Sequence, residues 1–144
     1  MMAEIDPRWR AEVRAATAWW MAKIEYAMGE AYPPETPIGV KSRRLYTPEN
    51  RGALSARIAD ELNVFLGNHA DLWSALDPIR GSMYRRVDKQ GRFLHPAIGL
   101  PMVECGLGEV NEFLPDGLRC TINPGALVVG LGRTGKDIRL EVAP

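Results

Sequence analysis

The sequence predicts a single α+β domain, and three observations predict it. Apolar residues recur at alternating spacings of three and four in two segments between residues 6 and 77. From residue 78 onward, glycines and prolines punctuate short runs rich in Val, Leu and Ile. The whole has 144 residues with 46% hydrophobic and 25% charged side chains, enough apolar material for a core and too much for a disordered chain. The expected layout is an N-terminal pair of amphipathic helices followed by a small antiparallel β-meander and a long Gly/Pro-rich loop, with residues 1–144 forming one domain.

The first helix is expected to open at Asp6-Pro7. Aspartate is an N-cap acceptor, and proline at the first helical position loses no needed N–H. Trp9, Val13, Ala16, Trp20, Ile24, Ala27 and Ala31 then lie on one stripe, with Arg8, Glu12 and Lys23 opposite. Trp19, Met21 and Met28 widen that stripe beyond what one packing partner covers, which points Trp19 toward another chain. Tyr32-Pro33-Pro34-Glu35-Thr36-Pro37 reads as a stiff linker, because prolines so spaced remove donors and extend their neighbours.

Thr47-Pro48-Glu49 repeats the cap-then-proline signal, and Leu54, Ile58, Leu62, Phe65, Leu66, Trp73 and Leu76 follow at helical spacing. A break at Gly67-Asn68 is favoured, leaving a short helix over 70–76 that Asp77-Pro78 ends. Strands are expected at 83–87, 93–94, 118–122, 126–131 and 138–142. Asn123-Pro124-Gly125 and the 132–137 loop should make the last three a meander. Residues 95–117, rich in Gly and Pro, read as a long loop.

The sharpest string match is Gly130-Leu131-Gly132-Arg133-Thr134-Gly135-Lys136-Asp137, which satisfies GxGxxG and nearly GxxxxGK[ST]. Both motifs need a helix directly after the loop to hold phosphate on its N-terminal amides. Ile138 to Val142 alternates as a strand, so the segment reads as a hairpin tip made basic by Arg133 and Lys136. His69 falls on the second helical stripe and reads as a core or interface residue. His95 and Cys105 form a conceivable nucleophilic pair, which needs hydrogen bonding and a third orienting group. Cys105 and Cys120 are not spaced as a CxxC motif and are read as reduced. Four scattered His and Cys residues do not make a zinc site. Neither a metal nor a cofactor is expected. Glu109 and Glu112 could pair as in a glycosidase, although nothing apolar near them in sequence would raise a carboxyl pKa.

Charge is distributed more tellingly than any motif. Eighteen Lys and Arg balance eighteen Asp and Glu, so no whole-molecule field selects nucleic acid or an anionic membrane. Locally, Arg80, Arg85, Arg86, Lys89 and Arg92 give residues 80–92 about +4, while Glu104, Glu109, Glu112 and Asp116 give 104–116 about −4. The two segments can pair within one molecule. They can also pair between copies, head to tail. The basic one could bind nucleic acid, with Tyr84 and Phe93 stacking on bases. The N-terminus lacks a secretory pattern, and no apolar run reaches the ~20 residues of a membrane span. The expected setting is the cytoplasm, or a virion.

With Trp19 exposed and the charged segments as docking surfaces, the expected function is non-enzymatic self-association. A helical N-terminal part, a β extension and an extended arm form a layout similar to head-to-tail connector and other virion subunits of tailed bacteriophages. That resemblance implies a structural subunit and a homo-oligomer. The alternatives are a small ligand-binding module or enzyme with a pocket near residues 95–117, using His95, Cys105 or Glu104, and a small inhibitor of a host machine.

Overall fold

The computed structural model describes residues 4–31, 44, 46–132 and 135–144. The Tyr32 to Pro37 linker and Arg133 lie outside them. Helix α1 spans Arg10–Tyr26 and runs on through a π-type turn at Ala27–Ala31. The helix begins later than the expected Asp6-Pro7 start, with Trp9 as its N-cap and no side-chain cap. Asp6 instead holds the turn that leads into it, its carboxylate accepting the Arg8 N–H at 2.9 Å and its carbonyl accepting the Trp9 N–H. Helix α2 spans Pro48–Gly67, with the Thr47 hydroxyl accepting the Asn50 N–H at 3.1 Å.

The stripe from Trp9 to Ala27 is buried, and it packs against Leu54, Ile58, Leu62 and Leu66 of α2. Asn63 ties the two helices together, its amide oxygen accepting both the Trp9 indole N–H (2.8 Å) and the Asp6 backbone N–H (3.0 Å). The expected break at Gly67 is present. A single 3-10 turn, Ala70–Leu72, follows, so the expected helix over 70–76 is only one turn long.

The second half forms five strands: β1 Arg86–Gln90, β2 Phe93–Leu94, β3 Arg119–Asn123, β4 Ala126–Gly130 and β5 Ile138–Glu141. They make one antiparallel sheet in the order β2-β1-β3-β4-β5. The β3-β4-β5 meander is as the turns predicted. Residues 82–85, expected to start a strand, instead form a 3-10 turn. Helix α1 packs over β3 and β4, burying Val87, Cys120, Ile122, Leu127 and Val129 on the inner sheet face.

The long loop expected over 95–117 is mostly helical. Helix α3 spans Pro96–Glu104, and a 3-10 stretch spans Gly108–Phe113. Gly99 and Pro101 argue locally against a helix. Burial of Ala97, Ile98, Pro101 and Met102, in a helix that packs on α2, overrides that preference.

Candidate functional site

The basic segment contains two cations that sit inside the molecule. Arg85 is 1% exposed. Its Nε donates to the Ile122 carbonyl at 2.7 Å. Its Nη1 donates to the Arg80 carbonyl (2.8 Å) and, at 3.5 Å, to that of Leu72. Its Nη2 donates to the Pro78 carbonyl (3.0 Å) and the Asn123 side-chain oxygen (2.9 Å). The guanidinium also lies 5.5 Å from the centre of the Trp73 ring. Burial lowers its pKa below the ordinary arginine range, yet an arginine so bonded keeps its charge. Arg85 is therefore a template: its planar fork gathers the carbonyls of the irregular 72–80 segment and fastens them to β3.

What that template holds up is apolar. Leu76, Ile79, Met83 and Tyr84 are 99%, 71%, 76% and 50% exposed. Leu76, expected on a helical stripe, and Met83, expected in a strand, both face solvent instead. Gly81, at φ +71°, makes the turn between them, where a Cβ would come within 2.7 Å of the Leu72 side chain. His69 stacks on Tyr84, ring centres 4.7 Å apart, so it buttresses this surface rather than the core. Arg80 and Arg86 are exposed beside the patch, with Arg86 Nε 3.4 Å from Asp88. Four large apolar side chains so close in sequence are unusual outside an interface. The sequence conceals them, because Leu76 fits helical spacing and Met83 and Tyr84 fit a strand.

Lys89 is the second buried cation, 3% exposed, and its ammonium donates to the carbonyls of Asn111 and Leu114. Around it the two oppositely charged segments meet within one molecule. Asp116 accepts the Gly91 N–H at 2.6 Å, and the Asn111 amide donates to the Arg92 carbonyl at 3.0 Å. Burial lowers the Lys89 pKa, while Asp116 and Glu112 act to raise it. The expectation that residues 80–92 present a continuous cationic surface is thus corrected at Arg85 and Lys89, whose charges are spent on backbone carbonyls.

Of the remaining candidates, Arg92, Glu109 and Glu112 line one open cleft with Lys89. Glu104 accepts from Arg57 at 2.8 Å, a contact that lowers its pKa. Arg92, Glu109, Glu112 and Lys136 are exposed. Trp19 is half-buried, edge-on to Trp20 with Lys23 over its ring. The Gly130 to Asp137 segment joins two antiparallel strands, as the hairpin expected there requires, and β5 stands where a phosphate loop needs a helix.

His95 and Cys105 cap opposite ends of α3, about 15 Å apart along the axis at 1.5 Å per residue. They do not form a pair. Burial also raises the Cys105 pKa, the reverse of an activated thiol. His95 Nδ1 instead accepts the Ala97 N–H at 3.1 Å, and its ring sits edge-on to Phe65. Burial holds its pKa below 6.5, with Asp88 partly offsetting. Between that lowered value and 6.5 the unfolded chain binds the proton more tightly, so stability rises with pH across this window and is lost as pH falls through it. Protonation also removes the cap acceptor. Thermal melts at about pH 7.5 and about pH 5 should show an acid loss that His95→Asn, which keeps a cap oxygen, abolishes.

Among the described residues no His, Cys, Asp and Glu group resembles a metal site, and no helix is long and apolar enough to cross a membrane. An apolar groove of about 320 Å³ lies between β2 and α3, floored by Leu94, Pro96, Gly99 and Met102, with no convergent catalytic groups.

The class that this fold defines is α+β with an antiparallel five-stranded sheet under helices, a scaffold that also exists in a known domain. The chain is similar in fold to the BTG/Tob domain of C. elegans FOG-3, solved in a doubly substituted form. The TM-score is 0.63 and the identity 18%, over 93% of this chain and 82% of that one. At that identity the likeness is one of fold alone. No protein-family model matches the sequence, and no curated protein matches it.

Proposed function

We propose that the chain is a protein-interaction module whose docking surface is the Arg85-templated segment bearing Leu76, Ile79, Met83 and Tyr84. The observation that carries this reading is a buried arginine spending its fork on a loop whose apolar side chains point outward. A loop fixed in advance loses little entropy on binding, which is where such surfaces gain affinity. The partner it fits is a protein with an apolar ridge flanked by carboxylates, which Arg80 and Arg86 would meet at the rim.

Ile79→Asp with Met83→Asp tests it. Both side chains are solvent-exposed, so the melting temperature should stay within about 2 °C of wild type, as for surface changes generally. Native co-purification should recover one partner in near-stoichiometric amount with the wild-type chain and at least about tenfold less with the variant. Equal recovery by both chains would overturn the proposal. If the recovered partner is a second copy of the chain, the patch is an interface of self-association, as the sequence layout suggested.

A further inference from the structure

Strand β5 ends the sheet, and its outer edge is complementary to itself. Its register against β4 pairs Leu140 with Leu127 and Ile138 with Val129, and the Val142 N–H donates to the Gly125 carbonyl at 2.9 Å. In an antiparallel ladder, alternate residues turn their N–H and C=O toward the same neighbour. Val142, Leu140 and Ile138 therefore bond toward β4, and Arg139 and Glu141 turn theirs to the open edge. On the inner face, Ile138 and Leu140 continue the row of Val129 and Leu127 but stay 59% and 38% exposed, because β5 lies beyond the strands that α1 covers. On the outer face, Arg139 and Glu141 contact only each other among described ion pairs, at 2.6 Å.

We infer that β5 pairs with β5 of a second copy, antiparallel about a two-fold axis through Leu140, joining two five-stranded sheets into one of ten. That axis is the one at which every position finds a fitting mate. Leu140 faces Leu140 of the other copy as a non-hydrogen-bonded pair, where side chains come closest, and Ile138 faces Val142. Arg139 stands directly opposite Glu141 of the other copy, and Glu141 opposite its Arg139. These two facing pairs use the outward N–H and C=O groups, so four backbone hydrogen bonds form with two cross-strand ion pairs. A two-fold perpendicular to the sheet keeps the helices of both copies on one side, so the two exposed Ile138 and Leu140 rows merge. The assembly is closed and isologous. Charged residues ordinarily guard an edge strand against indiscriminate pairing. Here their opposite signs, two residues apart, admit a second copy in one register.

Mass measurement by sedimentation over a concentration series tests this with four chains. The wild type should pass from 16.0 kDa to twice that mass as concentration rises. Arg139→Glu and Glu141→Arg, each alone, place like charges opposite one another twice over and should weaken association at least about tenfold. The double exchange, Arg139→Glu with Glu141→Arg, should restore it. A mixture of the two single variants should form a mixed dimer that neither forms alone. Both substitutions lie on solvent-exposed side chains, and an unchanged circular dichroism spectrum confirms the fold. A wild type that stays monomeric up to about 1 mM, single variants that dimerise like the wild type, or a mixture that stays monomeric would each overturn the inference. Because the Ile79 and Met83 positions are elsewhere, their double variant should dimerise normally, which separates this result from the fate of the docking patch.

Discussion

Arg85→Ala should lower stability by about 4 kcal/mol, seen as a fall in melting temperature of roughly 12 °C for a domain of this size. The alanine deletes donors to four carbonyls and to the Asn123 side chain. Of these acceptors the Ile122 carbonyl and Asn123 lie in buried positions that water reaches poorly, where each unmet acceptor costs about 1–3 kcal/mol. Arg85→Lys keeps the charge but offers a compact ammonium in place of a planar fork, and should recover about half of the loss. Amide hydrogen exchange should show the 72–84 segment losing protection first, ahead of β3. A melting temperature within about 2 °C of wild type would mean that the segment holds itself without the guanidinium. Arg85→Glu would bury a carboxylate among carbonyls and is therefore a folding variant. Charge reversal at the surface is tested with Arg86→Glu alone.

Lys89→Ala ranks next. The ammonium closes the backbone of 108–114 onto β1, and its loss leaves the Asn111 and Leu114 carbonyls without that donor and opens a gap along the stem. The expected loss is about 3 kcal/mol by chemical denaturation. Lys89→Met fills the gap without donating, so the difference between the two variants isolates the stem from the head group. Equal midpoints for Lys89→Met and wild type would assign the stabilisation to packing alone. The neighbouring Arg92→Ala, at an exposed side chain, should stay within about 0.5 kcal/mol of wild type.

The parts of the fold legible in the sequence were those set by local chemistry. Thr47-Pro48 marks its helix start because a cap and a fixed φ act within one turn, whereas Asp6-Pro7 marks only the turn that leads into α1 at Arg10. The stripes of α1 and α2 and the β3-β4-β5 meander follow from periodicity and turn residues. Helix α3 hides behind Gly99 and Pro101, although His95-Pro96 is the same cap-then-proline signal met twice before. What makes that stretch helical is burial against α2, a contact between residues far apart in the chain.

The candidate site was half legible. The clustering of cations in 80–92 is plain, but reading them as one surface ignores strand parity. Arg85, Val87 and Lys89 share a parity and are all buried, whereas Arg86 faces solvent. An apolar residue between two basic ones at spacing two was the available clue. The exposed patch leaves a weaker trace, because solvent exposure of Leu76 or Ile79 depends on where the helices end and on what Arg85 holds in place.

That same parity gives the two buried cations a second consequence, in how the chain rejects wrong pairings. Sliding β1 by one residue against β3 would turn Arg86 and Asp88 toward the helices, expel Val87 and Lys89, and pull Arg85, which directly precedes the strand, away from its carbonyls. An apolar strand would lose only area by such an error and could linger in it. Here the slipped state buries charges for which no carbonyls are gathered, a cost of several kcal/mol for each ion. The correct alignment becomes favourable only once 72–80 and 108–114 supply those carbonyls, so segments with little regular structure act as the lock for which β1 is the key. The sheet and its irregular surroundings should consequently melt as one cooperative unit.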